Sequence, residues 1–293
     1  MPNRVDIRKL LAEEPETFLR QSMLEQLAVL HVISNDELLA GDNAVLHDFR
    51  VAVRTLRTRL KFFRPYFKKP DQIKLWSHEL KWIDEHVQRL RDIEIQSALL
   101  NLVAAEKLQN LISKPAKYQM YRKGVLALQK ELAGASEAAK AKLEIAVQSN
   151  RSARMFEDVK IGLLLATFNS KKLAKLSEEL TQLHATKVKA ISKALQKPGL
   201  SKQSHKKLHS LRLDCKRARY LGEAIRSPLK HLAEAQTVLG EINDLSILSK
   251  WLEPRAMQRR RDRKLIILLL LEVNQTIANR RSQLPTLKSL LTK

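Results

Sequence analysis

Residues 47–64 read HDFRVAVRTLRTRLKFFR. Wound as an α-helix at about 100° per residue, this stretch places His47, Arg50, Arg54, Arg57, Lys61 and Arg64 on one arc roughly 100° wide. Phe49, Val53, Leu56 and Leu60 fall on the opposite side, so the helix has a core face and a cationic face. Like charges at i, i+3 and i+4 each cost a helix a few tenths of a kcal/mol, and a solvated helix relieves them with interleaved acids. Here Asp48 is the only acid, and it lies off the stripe. The stripe reads as a helix face that meets an external polyanion.

The pattern has a twin in residues 209–226, HSLRLDCKRARYLGEAIR. His209, Arg212, Lys216, Arg219 and Arg226 stand at the offsets of His47, Arg50, Arg54, Arg57 and Arg64, and Glu223 takes the place of Lys61. The apolar side repeats through Leu211, Cys215, Ala218 and Ile225. A second echo follows each stripe: Arg91-Asp92-Ile93-x-Ile95 matches Asn243-Asp244-Leu245-x-Ile247. Paired motifs in the same order are an internal repeat, which predicts two similar helical halves, each a four-helix bundle. The halves are expected at 17–160 and 171–284 of a single domain spanning 1–293, with the divide between about 150 and 172.

Composition agrees. Lys and Arg outnumber Asp and Glu by 54 to 31 over 293 residues, a formal charge of +23. That excess calls for an anionic partner: nucleic acid, an acidic membrane or polyphosphate. Aromatics at 5% argue against a surface that stacks unpaired bases. Seven glycines and few alternating β-branched runs favour an all-α chain. The single cysteine, Cys215, excludes an internal disulfide framework and fits a reducing, cytoplasmic compartment. The first 18 residues have no apolar signal core. The run Leu265–Leu271 falls far short of the ~20 residues that span a bilayer, so no membrane partner is expected.

Helical spacing and turn signals place the elements. A short helix over 4–14 is limited by Pro15. A second runs from Phe18 to about Leu39, and Gly41-Asp42-Asn43 is a turn. The striped helix extends to about Phe67. Pro70 and Asp71 open a third helix, to Ile112. After Pro115 come helical stretches over 117–149, with Gly124 and Gly134 as weak points, and over 151–169. A Lys-rich helix covers 171–196. Pro198-Gly199 is the clearest stop, after which Ser204 can cap the twin helix. Pro228 sits in the first turn of the next helix, and Pro254 opens a final one ending near Arg281.

These residues resemble the CHAD family, the conserved histidine α-helical domain, whose pattern H-x-[LF]-R-[VI]-x-x-[RK]-[RK]-[LA]-R recurs in both halves. Here it is HDFRVAVRTLR at 47–57 and HSLRLDCKRARY at 209–220. The family's L-G-x-x-[RN]-D-L-x-[VI] segment is matched by LGEINDLSI at 239–247. Its first-half copy, VQRLRDIEI at 87–95, has Gln88 in place of the glycine, and Thr55 departs from the usual second cation. The resemblance covers about 17–284. It implies two pseudosymmetric four-helix bundles with basic helices facing a central groove, and binding of inorganic polyphosphate, with collection on polyphosphate granules. The polyphosphate-binding set that follows is His47, Arg50, Arg54, Arg57, Lys61, Arg64, Arg89, Arg91, Lys206, His209, Arg212, Lys216, Arg217, Arg219 and Arg226.

Elementary chemistry points the same way. A polyphosphate chain has no base edges to read, so charge, donor geometry and spacing must recognise it. Arginine suits this because its planar fork gives two hydrogen bonds to one phosphate. His47 to Arg57 spans ~15 Å, room for several consecutive phosphates. A bound polyanion would favour the imidazolium of His47 and His209, so binding is expected to strengthen as pH falls from about 8 to 6. The alternative is that each histidine packs against a neighbouring helix. Asp92 and Asp244 are expected to orient stripe arginines rather than to catalyse or bind metal, because a bare carboxylate repels phosphate. His205-x-x-x-His209 has metal-ligand spacing, but no third ligand completes it in sequence. The charge run Arg255–Lys264 reads as a secondary patch, and Trp76, Trp82 and Trp251 as core. The glycine-rich phosphate loop, the nucleophile setting and the acidic metal cluster of phosphoryl chemistry are missing from the sequence. The expectation is a non-catalytic, cofactor-free binding protein. A nucleic-acid-binding protein and, third, a polyphosphate-processing enzyme are the competing readings.

Overall fold

The computed structural model describes residues 7–33, 35–40, 42–109, 111–197, 199–225, 227, 230–259 and 262–284. Among these residues the fold is all-α, with no β-strand. The helices are α1 (Ile7–Glu13), α2 (Pro15–Val32), α3 (Asn35–Ala40), α4 (Asn43–Phe63), α5 (Pro70–Gln109) and α6 (Pro115–Val147). They continue as α7 (Asn150–Leu164), α8 (Ser170–Leu173), α9 (Leu176–Leu195), α10 (His205–Ala224), α11 (Lys230–Gln258) and α12 (Arg263–Ser282). Short 3-10 turns cover Arg64–Tyr66 and Leu200–Lys202. The chain packs into two compact units: one of residues 1–91, 139–189 and 216–229, the other of 92–138, 190–215 and 230–293. Each unit takes segments from both halves of the sequence.

In the first unit α4 is the central element. The Asp42 side chain caps it, accepting from the N–H groups of Ala44 at 2.6 Å and Val45 at 3.4 Å. Leu46, Phe49, Val53, Leu56, Leu60 and Phe63 are buried along one side. Phe63 meets Phe18 of α2 edge to face at 6.0 Å, and Phe49 meets Phe156 of α7 at 6.4 Å. The carbonyls at the end of α7 are taken by Arg20 of α2, which donates to Leu163 at 2.6 Å and to Leu164, and to Ala166 just beyond the helix at 3.0 Å. Two expected helices are interrupted. The one over Phe18–Leu39 breaks where Ile33 turns extended, and α3 restarts with Asp36 and Glu37 in its first turn, where the helix dipole favours acids. The Lys-rich one over 171–196 breaks after Leu173. The break lets both Leu173 and Leu176 bury, and Tyr66 donates to Glu179 in the first turn of α9.

In the second unit α11 and α12 pack as an antiparallel pair with Leu265, Ile266, Leu269 and Val273 in the core. Ile267, Leu268 and Leu271 of the same apolar run face outward. Among the described residues no helix is long and apolar enough to cross a membrane. Pro254 does not open a helix; it lies inside α11. A proline there removes one backbone bond, and side-chain ties carry the helix past it. Arg255 stacks over the Trp251 ring at 3.8 Å, donates to the Trp251 carbonyl at 2.5 Å, and pairs with Glu131 of α6. Arg259 reaches the same carboxylate at 2.6 Å. These two members of the expected charge patch are therefore structural; Arg260 and Arg261 lie outside the described residues. Helix α6 runs through Gly124 and Gly134 unbroken. Gly199 has φ 71°, the left-handed turn that suits glycine. Gly41 and Pro228 lie outside the described residues.

Candidate functional site

The first stripe divides by depth. His47 and Lys61 are exposed, Arg54, Arg57 and Arg64 half-buried, and Arg50 is only 9% exposed. A further cation, Arg59, is buried on the other flank, donating to the Ser22 carbonyl of α2 with Glu25 3.9 Å away. Arg54 and Arg57 are organised by Asp84 of α5, which is 4% exposed. Arg57 Nη1 donates to Asp84 Oδ2 at 2.9 Å and its Nε to the Ser77 carbonyl at 3.3 Å. Arg54 Nε stands 3.6 Å from Asp84 Oδ1, and its Nη2 donates to Gln88. One carboxylate and one amide thus hold two guanidinium planes side by side on α4. At the end of the stripe, Arg64 lies 3.8 Å from the exposed Asp71. Arg89 is exposed and Arg91 half-buried on α5.

The second half of α10 belongs to the same unit. Its hub is Tyr220, a buried ring with Arg219 at 5.1 Å and Lys216 at 5.6 Å. Burial pushes the Tyr220 phenol up, and the charges of Arg219 and Arg54 draw it part of the way back. Arg54 on the first stripe therefore shares an electrostatic neighbourhood with Tyr220 on the second, and Arg54, Arg57, Lys216 and Arg219 gather in one unit. Arg219 Nε is 3.3 Å from Glu223, the acid that replaces the stripe's fifth cation. Arg217 is exposed. Arg226 lies outside the described residues.

The first half of α10 belongs to the second unit, with Lys206, His209 and Arg212. His209 Nδ1 meets Asn243 Oδ1 of α11 at 2.8 Å, and Asn243 Nδ2 donates to Asp244 at 3.0 Å. The chain Asp244–Asn243–His209 fixes the ring, with Nδ1–H as donor. The two motif histidines therefore differ: His209 is half-buried and tied to a neighbouring helix, and His47 is exposed. Arg212 passes close to Gly240, its Nε 3.8 Å from where a Cβ would stand. Lys206 is exposed.

Asp84 lies outside the motifs, and Tyr220 closes the second one without a role assigned to it; both are functional candidates. A signal for Asp84 was present: Ile73, Trp76, Leu80, Ile83, Val87 and Leu90 form a core seam on α5, and Asp84 flanks it. An acid beside a buried seam implies a cationic partner. It is Asp84 that meets Arg54 and Arg57, two turns before Asp92. Of the three tryptophans, Trp76 is core, whereas Trp82 and Trp251 are half-buried under Arg151, at 4.2 Å, and Arg255. Cys215 is fully buried, and burial with the Asp214 charge pushes its thiol up to about 12, so it is inert. Among the described residues no group of three or more His, Cys, Asp or Glu comes together to hold a metal ion.

An all-helical domain with paired cationic helix faces is the class that fold and site define. The chain belongs to the CHAD domain family, whose model matches residues 24–253. Two solved structures share the fold. The CHAD domain from the plant Ricinus communis is similar with a TM-score of 0.68 and 19% identity over 94% of this chain and 91% of that one. PptA from Streptomyces chartreusis is similar with a TM-score of 0.68 and 17% identity over 94% of this chain and 97% of that one. No curated protein matches the chain.

Proposed function

We propose that this protein binds inorganic polyphosphate through its striped helices, without chemical turnover. The observation that carries the reading is the gathering of Arg54, Arg57, Lys216 and Arg219 in one unit, two of them held by Asp84 and two stacked on Tyr220. Such preorganised cations, three guanidinium groups and one ammonium, suit a chain that offers an oxyanion at every repeat and nothing else to read. The CHAD resemblance carries the same implication. A cytoplasmic location, with collection on polyphosphate granules, belongs to this reading.

Competition tests it. Long-chain polyphosphate should displace a fluorescent duplex DNA at far lower phosphate concentration than unlabelled DNA does. Equal displacement would favour the nucleic-acid reading, which the net charge of +23 also allows. Replacing Arg54, Arg57, Lys216 and Arg219 together by Gln should abolish polyphosphate binding while helicity persists. Arg50 is left in place because it is buried. Shortening of polyphosphate chains on incubation with Mg²⁺ or Mn²⁺ would overturn the non-catalytic reading.

A further inference from the structure

In the first unit, the last two turns of α7 turn an apolar face outward, and a hollow opens on each flank. With Phe156 set at 0° on the helix, the buried Met155, Val159 and Leu163 fall between about 260° and 340°. Glu157, Ile161, Leu164 and Leu165 fall on the outward side, between about 80° and 180°. Toward α5 lies a hollow of about 500 Å³, floored by Ile73 and Trp76 and walled by Leu75, Ile161 and Leu165. Toward α2 and α4 lies one of about 580 Å³, floored by Leu27, Leu30 and Phe49 and walled by Ile33, Phe156 and Leu164. All these residues belong to one unit. Leu75, Ile161, Leu164 and Leu165 are 45–75% exposed. A single exposed leucine needs no explanation, but four around two adjoining hollows make a continuous apolar surface. We propose that this surface is the docking site of a protein partner, which lays an amphipathic helix across the end of α7 with its acidic flank toward Lys68 and Lys69. The inference is independent of polyphosphate binding, because Arg54, Arg57, Lys216 and Arg219 line neither hollow.

Shape selects the kind of partner. Polyphosphate has no apolar group to fill a hollow, and a bilayer is entered by a projecting apolar face rather than by a recess. Side chains at i and i+7 of a helix project about 10.5 Å apart, close to the roughly 10–12 Å width of the helix that separates the hollows. Side chains at i+3 and i+4 would then rest on Ile161 and Leu164, as in other helix-in-groove complexes. Charge sets the orientation. At the end of α7 two loops are tied together: Lys68 N–H donates to the Thr167 carbonyl at 3.0 Å, and Asn169 N–H to that of Tyr66 at 2.8 Å. The Phe67 and Phe168 rings stand 4.7 Å apart beneath them, and Arg20 holds the α7 carbonyls. A rim fixed in this way loses little freedom on binding. It displays the exposed Lys68 and Lys69, followed on α8 by Lys171 and Lys172. Glu157 and Asp158 stand about two turns back along α7, with Lys160 and His31 beside the second hollow. A helix crossing α7 is therefore complementary when its acids face the lysine rim.

The test uses the full chain and a fluorescein-labelled synthetic helix of about 18 residues, with leucines at i, i+3, i+4 and i+7 and glutamates along one flank. Its anisotropy should report binding that is at least tenfold weaker for Leu75→Ser with Leu165→Ser, at an unchanged urea midpoint. Lys68→Gln with Lys69→Gln should weaken it at least threefold. Arg54→Gln with Arg57→Gln removes the same charge elsewhere and should leave it within twofold of the wild type. A peptide of the same composition with its leucines dispersed should bind at least tenfold more weakly. Undiminished affinity in the Leu75/Leu165 variant overturns the proposal, and so does equal binding of the dispersed peptide, since either would mean attraction to net charge only. Wild-type binding to phosphatidylserine vesicles that the same leucine substitutions abolish also overturns it, because the surface would then be a lipid contact.

Discussion

Asp84 keeps two like charges side by side on α4. Its carboxylate lies within 3.6 Å of both Arg54 and Arg57, whose side chains are only 21% and 26% exposed. Removing one partner of a buried pair costs about 3–5 kcal/mol. With both arginines partly reached by water, Asp84→Ala should cost about 1–3 kcal/mol, read by urea denaturation. Polyphosphate would then stand in for the lost carboxylate, so it should raise the melting temperature of the variant more than that of the wild type. Equal shifts would mean that Arg54 and Arg57 do not touch the ligand. His184 makes a second residue-level prediction. It is 6% exposed between α9 and α10, and burial lowers its proton affinity, with the Ala218 carbonyl opposing. The unfolded chain therefore binds more protons here than the folded one. The stabilising effect of keeping the ring neutral is full above about pH 6.5, the unfolded value, and is lost as pH falls below it. The urea midpoint of the wild type should accordingly fall more between pH 7.5 and 5.5 than that of His184→Leu.

Helix spacing turns on single positions, and two glycines give opposite predictions from one substitution. A Cβ on Gly162 of α7 would stand 2.0 Å from Trp76 Cζ2 and 2.5 Å from Cη2, in a buried ring on α5. Alanine gains about 1 kcal/mol of helix propensity, but overpacking a fixed ring costs about 1–3 kcal/mol. Gly162→Ala should therefore destabilise. A Cβ on Gly134 of α6 meets nothing within 4 Å, so Gly134→Ala should stabilise by about 0.5–1 kcal/mol, both changes being read from the urea midpoint. What could be read from sequence at this scale was what depends on local periodicity. The core face of α4 and the stop at Gly199 follow from spacing and turn chemistry. Helix α11 running through Pro254 does not, because the ties that carry it come from Glu131, more than a hundred residues away. The same holds for the site. The stripes could be read from charge spacing, but Asp84 and Tyr220 could not be assigned roles until α5 and α10 were placed beside the arginines. Gln88 shows the difference most clearly. By sequence it is a departure from the motif glycine; in the fold it accepts a hydrogen bond from Arg54. Gly240, which keeps the glycine, has Arg212 passing close by.

For the whole molecule the governing quantity is the formal charge of +23, which attracts any polyanion. Affinity alone therefore cannot identify the contacts, but its salt dependence can. Each cation that neutralises a phosphate releases condensed counterions, and for flexible single-stranded nucleic acid the slope of log K against log salt is about 0.7 per contact. A diffuse attraction to the overall charge would lose only the fraction of slope that four charges represent in the total. Direct contact predicts instead that replacing Arg54, Arg57, Lys216 and Arg219 by Gln lowers the slope by about 3, most of one unit per residue. The control removes the same charge from Arg151, Arg255, Arg259 and Arg280, which are paired with Glu79, Glu131 and Glu241. That control should lower affinity slightly and leave the slope nearly unchanged. Equal slope changes in the two variants would show that polyphosphate is held by net charge rather than by the striped helices.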